Sequence, residues 1–145
     1  MADYTPDILL VDDDRYSAEF MLEALMNHDL GYRLKVFRDG GEVLNYLFPV
    51  EGDNRNDSHD LPKVIILDLK LPKVNGFEVL RSIRASEKTQ MIPVVVFTSS
   101  TDDSDRVESY RLGANSYIVK PFEYDSFVNT AAEIGMYWTS HNMPP

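Results

Sequence analysis

The sequence predicts one doubly wound α/β domain, with a five-stranded parallel sheet flanked by five helices, and two patterns carry that expectation. Five short apolar runs have the length of strands: Ile8–Val11 (ILLV), Arg33–Phe37 (RLKVF), Val64–Leu67 (VIIL), Val94–Phe97 (VVVF) and Ser116–Val119 (SYIV). Between them lie segments whose apolar residues recur with helical period. Alternation of the two element types points to parallel strands joined by crossover helices.

Taken in order, ILLV, VIIL and VVVF are continuous apolar runs, the pattern of strands buried on both faces, whereas RLKVF alternates as an edge strand does. Ala18, Met21, Leu22 and Leu25 fall at i, i+3, i+4 and i+7 and predict the first helix. GGEVLNYLF, from Gly40 to Phe48, is a shorter one. Val79, Leu80 and Ile83 repeat the helical pattern, and Phe127, Ala131, Ile134 and Trp138 close the chain with it. The fourth helix, DDSDRVESYRL (Asp102 to Leu112), has only Val107, Tyr110 and Leu112 to hold it to the sheet. The polar stretch from Pro49 to Pro62 is expected to be a loop inside the domain, because neither side of it could fold alone.

A chain of 145 residues has the size of one domain, so residues 1–145 are expected to form a single unit with no output domain attached. Its 43% hydrophobic and 11% aromatic content is globular, and its apolar runs are too short to span a membrane. The opening MADYTPD is acidic and polar rather than a leader, which places the protein in the cytoplasm with no membrane partner. Twenty-four acidic residues against fourteen Lys and Arg leave a formal charge of −10, which argues against nucleic acid as a partner. With no cysteine, disulfides and thiolate metal sites are excluded.

In open parallel sheets, sites form at the carboxyl ends of the strands. Those ends carry Asp12, Asp13 and Asp14 after the first strand, Asp68 after the third, Thr98, Ser99 and Ser100 after the fourth, and Lys120 after the fifth. Each has an ordinary explanation: Asp14 as a helix cap, Asp68 as a loop acid, Thr98 and Ser99 as turn residues, Lys120 as a solvated side chain. Together they mean more. Carboxylates crowded at one sheet edge repel one another unless protons or a cation relieve them, and oxygen-only ligation suits Mg²⁺, which shares itself readily with phosphate. A carboxylate can then act as nucleophile toward a phosphoryl group, with Mg²⁺ and Lys120 neutralising it and the Thr98 hydroxyl donating to it.

LVDDD, IILDLKLPKVNGFEVL, IPVVVFTSS and NSYIVKPF, in that order and spacing, closely resemble the receiver domain of two-component response regulators over nearly the whole chain. The resemblance implies a flavodoxin-like sheet of order 2-1-3-4-5 and phosphoryl transfer from a histidine kinase to Asp68. It also implies Mg²⁺ held by Asp12, Asp13, Asp68 and the Lys70 backbone carbonyl, with Thr98, Lys120 and the switch aromatic Tyr117 completing the machinery. The enlarged loop before the third strand, the LDLKLPK phrase and the aromatic GMYW near the C-terminus further resemble stand-alone regulators paired with bacterial phytochromes. Such a likeness implies a homodimer through the fourth helix, fifth strand and last helix, whose surface would expose Tyr110, Phe127, Tyr137 or Trp138.

Two other classes fit parts of the pattern. A haloacid-dehalogenase-like phosphatase would use Asp12 as nucleophile and Asp14 as acid/base, but it needs further acids after the lysine. A flavodoxin-like FMN-binding protein shares the architecture, yet three aspartates after the first strand would repel the FMN phosphate.

Overall fold

The computed structural model describes residues 5–49 and 61–145; most of the polar stretch before the third strand lies outside them. Five strands, β1 (Ile8–Val11), β2 (Leu34–Phe37), β3 (Val64–Leu67), β4 (Val94–Thr98) and β5 (Ser116–Val119), alternate with five helices. These are α1 (Arg15–Met26), α2 (Gly40–Leu47), α3 (Gly76–Ala85), α4 (Asp103–Arg111) and α5 (Tyr124–Met136), the last running on into a π turn at Tyr137–His141. All strands are parallel, in the order β2-β1-β3-β4-β5. Among the described residues no helix is long and apolar enough to cross a membrane.

The continuous apolar runs become the three inner strands because successive side chains leave a strand on opposite faces and both faces are covered. Ile8, Leu10, Ile66, Val95 and Phe97 point toward Met21, Leu25, Ala131 and Ile134 of α1 and α5. Leu9, Val11, Ile65, Leu67, Val94 and Val96 point the other way, toward Val43, Leu47, Val79, Leu80 and Ile83 of α2 and α3. Both edges are less protected. On β2 the Lys35 ammonium sits 5.5 Å from the Phe37 ring centroid and 5.8 Å from that of Tyr46, covering the aromatic pair.

Several boundaries and contacts differ from those the pattern predicts. Arg33 belongs to a short 3₁₀ turn (Gly31–Arg33) rather than to β2, and Thr98 extends β4 by one residue. Leu22, at a core spacing, is exposed. The correction at α4 is larger: Val107 and Tyr110 do not hold it, being 47% and 49% exposed, and its buried residue is Ser109. A small side chain lets the helix lie close to the sheet, and the Ser109 hydroxyl is satisfied by the Asp105 carbonyl at 2.7 Å. Leu112, just past the helix, does pack into the core. Phe127 is buried, 5.2 Å from Phe97 between ring centroids, and Trp138 packs partly against the same core; Tyr110 and Tyr137 remain exposed.

After α4 the chain reverses through Gly113 at φ 104°, a left-handed conformation that glycine adopts without strain. A Cβ there would also lie 2.9 Å from Arg84 Nε. Gly113→Ala should therefore lower the unfolding free energy by about 1–3 kcal/mol in urea titrations; an unchanged midpoint would mean the turn re-forms elsewhere.

Candidate functional site

β1 runs into Asp12 and β3 into Asp68, and the pairing of Val11 with Leu67 sets these two residues side by side. Backbone bonds fix both, from Asp12 N–H to the Phe37 carbonyl (3.0 Å) and from Asp68 N–H to the Val11 carbonyl (2.9 Å). β5 delivers Lys120, whose N–H donates to the Thr98 carbonyl at 2.7 Å. Its ammonium then lies 2.8 Å from Asp12 Oδ2 and 3.1 Å from Asp68 Oδ2, with only 7% of the side chain exposed. Lys120 is thus a buried counter-ion shared by two carboxylates.

Each carboxylate is further oriented. Asp68 Oδ1 accepts from the Leu69 N–H at 2.7 Å, and Asp12 Oδ1 from the Asp14 N–H at 3.0 Å. Asp12 Oδ2 is buried and faces the Lys120 ammonium at 2.8 Å. Burial pushes the Asp12 carboxyl up to about 6; Lys120 opposes that shift and the neighbouring Asp68 charge adds to it. For Lys120 burial acts downward, but the charges and hydrogen bonds of Asp12 and Asp68 outweigh it and the pKa is raised. The ammonium stays charged.

Asp12, Asp13 and Asp68 present carboxylate oxygens within 4.8 Å of one another. Three carboxylate oxygens so close together fit a hard divalent cation, which would offset the repulsion among the three acids. Lys70 lines the open cleft beside Asp13, together with Pro72, Asn75 and Asp105. Asp14 stands apart: it caps α1, accepting from the Tyr16 N–H (3.2 Å) and the Ser17 hydroxyl (2.9 Å).

Thr98 ends β4 at 1% exposure, and its Oγ1 accepts from the Ser100 N–H at 3.3 Å. Tyr117 on β5 donates its hydroxyl to the Ser100 carbonyl at 2.9 Å, and the Ser100 hydroxyl donates to Asp105 Oδ2 at 2.6 Å. Ser100 and Asp105 give no sign of this in the sequence, where a Ser-Ser-Thr-Asp-Asp stretch looks like an ordinary helix start. Gly76 does carry a signal, the Asn-Gly pair before α3. A Cβ there would stand 2.3 Å from the Asp68 carbonyl oxygen, so glycine alone lets α3 begin against the loop that follows β3.

Residues 8–132 match the response regulator receiver domain family. The chain belongs to that family. It is 41% identical over 138 residues to the probable methanogenesis regulatory protein FilR2 of Methanothrix harundinacea, covering 95% of this chain and 86% of that protein. It is 33% identical over 131 residues to the response regulator Rcp1 of Synechocystis sp., covering 90% and 87%. The manganese-bound form of Rcp1 aligns with a TM-score of 0.83 at 28% identity over 97% and 99% of the two chains. The phosphorylated cyanobacterial phytochrome response regulator RcpA aligns with a TM-score of 0.86 at 35% identity, again over 97% and 99%. The protein is a receiver-domain response regulator related to phytochrome response regulators. The phosphatase and FMN readings give way: Asp14 is committed to capping α1, and the acids after β1 surround a cation-type site rather than a phosphate cradle.

Asp13→Ala should abolish Mg²⁺ binding by NMR titration while Asp14→Ala retains it; equal loss would move the ligand set toward the helix cap. A pH dependence follows from Asp12. Its folded value of about 6 exceeds the ordinary 3.8, so in the metal-free protein its protonation favours folding fully below 3.8, and that contribution is lost as the pH rises through about 6. Metal and proton compete for the same oxygens. Calorimetric Mg²⁺ affinity should be level above about pH 7 and fall by about tenfold per unit below about pH 6; an affinity that is unchanged at about pH 5 would remove Asp12 from the ligands.

Proposed function

We propose that this receiver takes a phosphoryl group on Asp68 from the phosphohistidine of a sensor histidine kinase, in a magnesium-dependent transfer that switches a protein-binding surface. The observation that carries the reading is the Asp68 carboxylate, oriented by the Leu69 N–H, neutralised by Lys120 and set beside two further acids. An Asp68 oxygen attacks phosphorus, the phosphorus–nitrogen bond to the donor imidazole breaks, and its electron pair stays on the ring nitrogen. Lys120 holds the charge on the phosphoryl oxygens, and Thr98 donates its hydroxyl to one of them. Asp12, Asp13, Asp68 and the Lys70 carbonyl are the proposed ligands of Mg²⁺, which when bound supplies neutralising charge for the incoming group.

The proposed kinase is a bacterial phytochrome, supported by the likeness to RcpA and by the aromatic C-terminal sequence. On this reading residues 1–145 form a cytoplasmic receiver domain that catalyses only its own phosphorylation and dephosphorylation, and its output passes by contact. The α4-β5-α5 face, with Val107, Tyr110, Val119 and Tyr137 each 41–49% exposed, is the surface we assign to a homodimer, and Tyr117 is the aromatic whose movement alters it.

Acetyl phosphate with Mg²⁺ should add one phosphoryl group by intact mass, and Asp68→Asn should take up none; labelling of the variant at the wild-type level overturns the assignment. Sedimentation at tens of micromolar should show a dimer, at least when the protein is phosphorylated, and a monomer in both states would exclude that contact.

A further inference from the structure

Asn75 and Gly76 form the one Asn-Gly pair in the chain, the dipeptide that loses its side-chain amide most readily because glycine leaves its own nitrogen unhindered. In that reaction the Gly76 nitrogen gives its proton to solvent base and bonds to Asn75 Cγ. The bond from Cγ to the amide nitrogen breaks, and that nitrogen takes up a proton from water and leaves as ammonia. Water then opens the succinimide at either carbonyl, giving aspartate or isoaspartate. Asn75 is exposed on the cleft that Asp13 and Lys70 also line, so water and base reach it.

Geometry holds the reaction off. Ring closure needs the Gly76 nitrogen eclipsed with Asn75 Cβ about the Cα–C bond, and a ψ of 169° at Asn75 keeps the two well apart. The nitrogen is also engaged, its N–H donating to the Leu69 carbonyl at 2.8 Å. Asn75 Oδ1 accepts from the Glu78 N–H at 3.1 Å, capping α3, and the Asn75 carbonyl accepts from the Val79 N–H at 3.0 Å. Because Gly76 is pressed against the Asp68 carbonyl, rotation about ψ has to wait until these contacts open together. The turn leading in is the less secure side: residues 70–75 are exposed or half-buried, and Lys73 sits at a φ of 68°, a left-handed conformation that strains a residue with a side chain.

We propose that Asn75 is a latent self-modification site, a deamidation that the closed junction between β3 and α3 blocks and that bound metal blocks further. The metal's part rests on the proposed ligand set: Asp68 and the Lys70 carbonyl flank Leu69, whose carbonyl is the acceptor that locks the Gly76 N–H. An ion held on both sides steadies that acceptor, so a metal-free receiver opens the junction more often than a loaded one. Of the two products, aspartate keeps an oxygen able to cap α3 but adds a carboxylate to the cleft beside Asp13. Isoaspartate does more damage, because it inserts a methylene into the main chain where Gly76 already meets Asp68. A chain left without metal thereby loses its metal site for good.

Peptide mapping by mass spectrometry follows the reaction in the full chain at mildly alkaline pH, folded without metal, folded with Mg²⁺, and unfolded in guanidinium chloride. Deamidation at Asn75 should be at least about tenfold slower in the folded chain than in the unfolded one. Mg²⁺ at about ten times its dissociation constant should slow the folded rate by about a further tenfold, the linkage expected of an ion that binds only the closed junction. Isoaspartyl protein separated from an aged sample should bind Mg²⁺ about tenfold more weakly in calorimetry. Asn75→Ser, which keeps a capping oxygen, should show no mass change in this peptide, and a change there would place the reaction elsewhere and overturn the assignment. Equal rates folded and unfolded overturn the closed site. Equal folded rates with and without Mg²⁺, in a protein that calorimetry shows to be loaded, overturn the metal's part. If no Mg²⁺ binds, the proposed function fails, while the folded and unfolded rates still decide the site.

Discussion

The ammonium of Lys120, wedged between Asp12 and Asp68, is the interaction on which the rest depends. Three strands must end at one level for it to form, and all three charged groups are nearly excluded from water. Removing one partner of such a buried set leaves an uncompensated charge, a loss of about 3–5 kcal/mol in comparable cases, whereas the intact set contributes far less to net stability. The arrangement is therefore retained for what it orients, not for how tightly it holds the chain together.

Around that centre the fold divides into a firm part and a loose one. β1, β3 and β4 are buried on both faces, α1 follows the first acids directly through the Asp14 cap, and α3 starts in close approach to the Asp68 carbonyl at Gly76. The acids thus ride on rigid elements, while Lys120 reaches them from the edge strand β5. Thr98 sits on the boundary, its backbone in β4 and its hydroxyl connected through Ser100 to the first turn of α4, the most weakly buried helix. Local changes at the sheet edge can be felt on one outer face without disturbing the core.

Much of this was legible in the residues. Continuous VIIL and VVVF runs gave the inner strands because burial on both faces removes the alternation that polar exposure imposes, and the acids and lysine were visible because they follow those strands directly. Three features were not. Val107 and Tyr110 occupy plausible core spacings on α4, but the helix meets the sheet through Ser109, and a single small residue leaves no periodic trace. The Ser100 and Asp105 contact depends on how a loop folds back on a helix, and Arg84 bonds to the Gly113 carbonyl 29 residues further along the chain. Hydrophobic patterning reports which side faces the core, not which polar side chains meet across loops.

An open sheet has two borders, and here they are unlike. Along β2, Lys35 lies over Phe37 and Tyr46, so any strand that tried to add there would have to displace a cation from its aromatic seat. β5 has no charge in its four residues, Ser116 to Val119, and Val119 is 41% exposed. The sheet therefore has a polarity across its width: a cation seated on aromatic rings marks one margin, and the uncharged margin lies on the side where α4 stands.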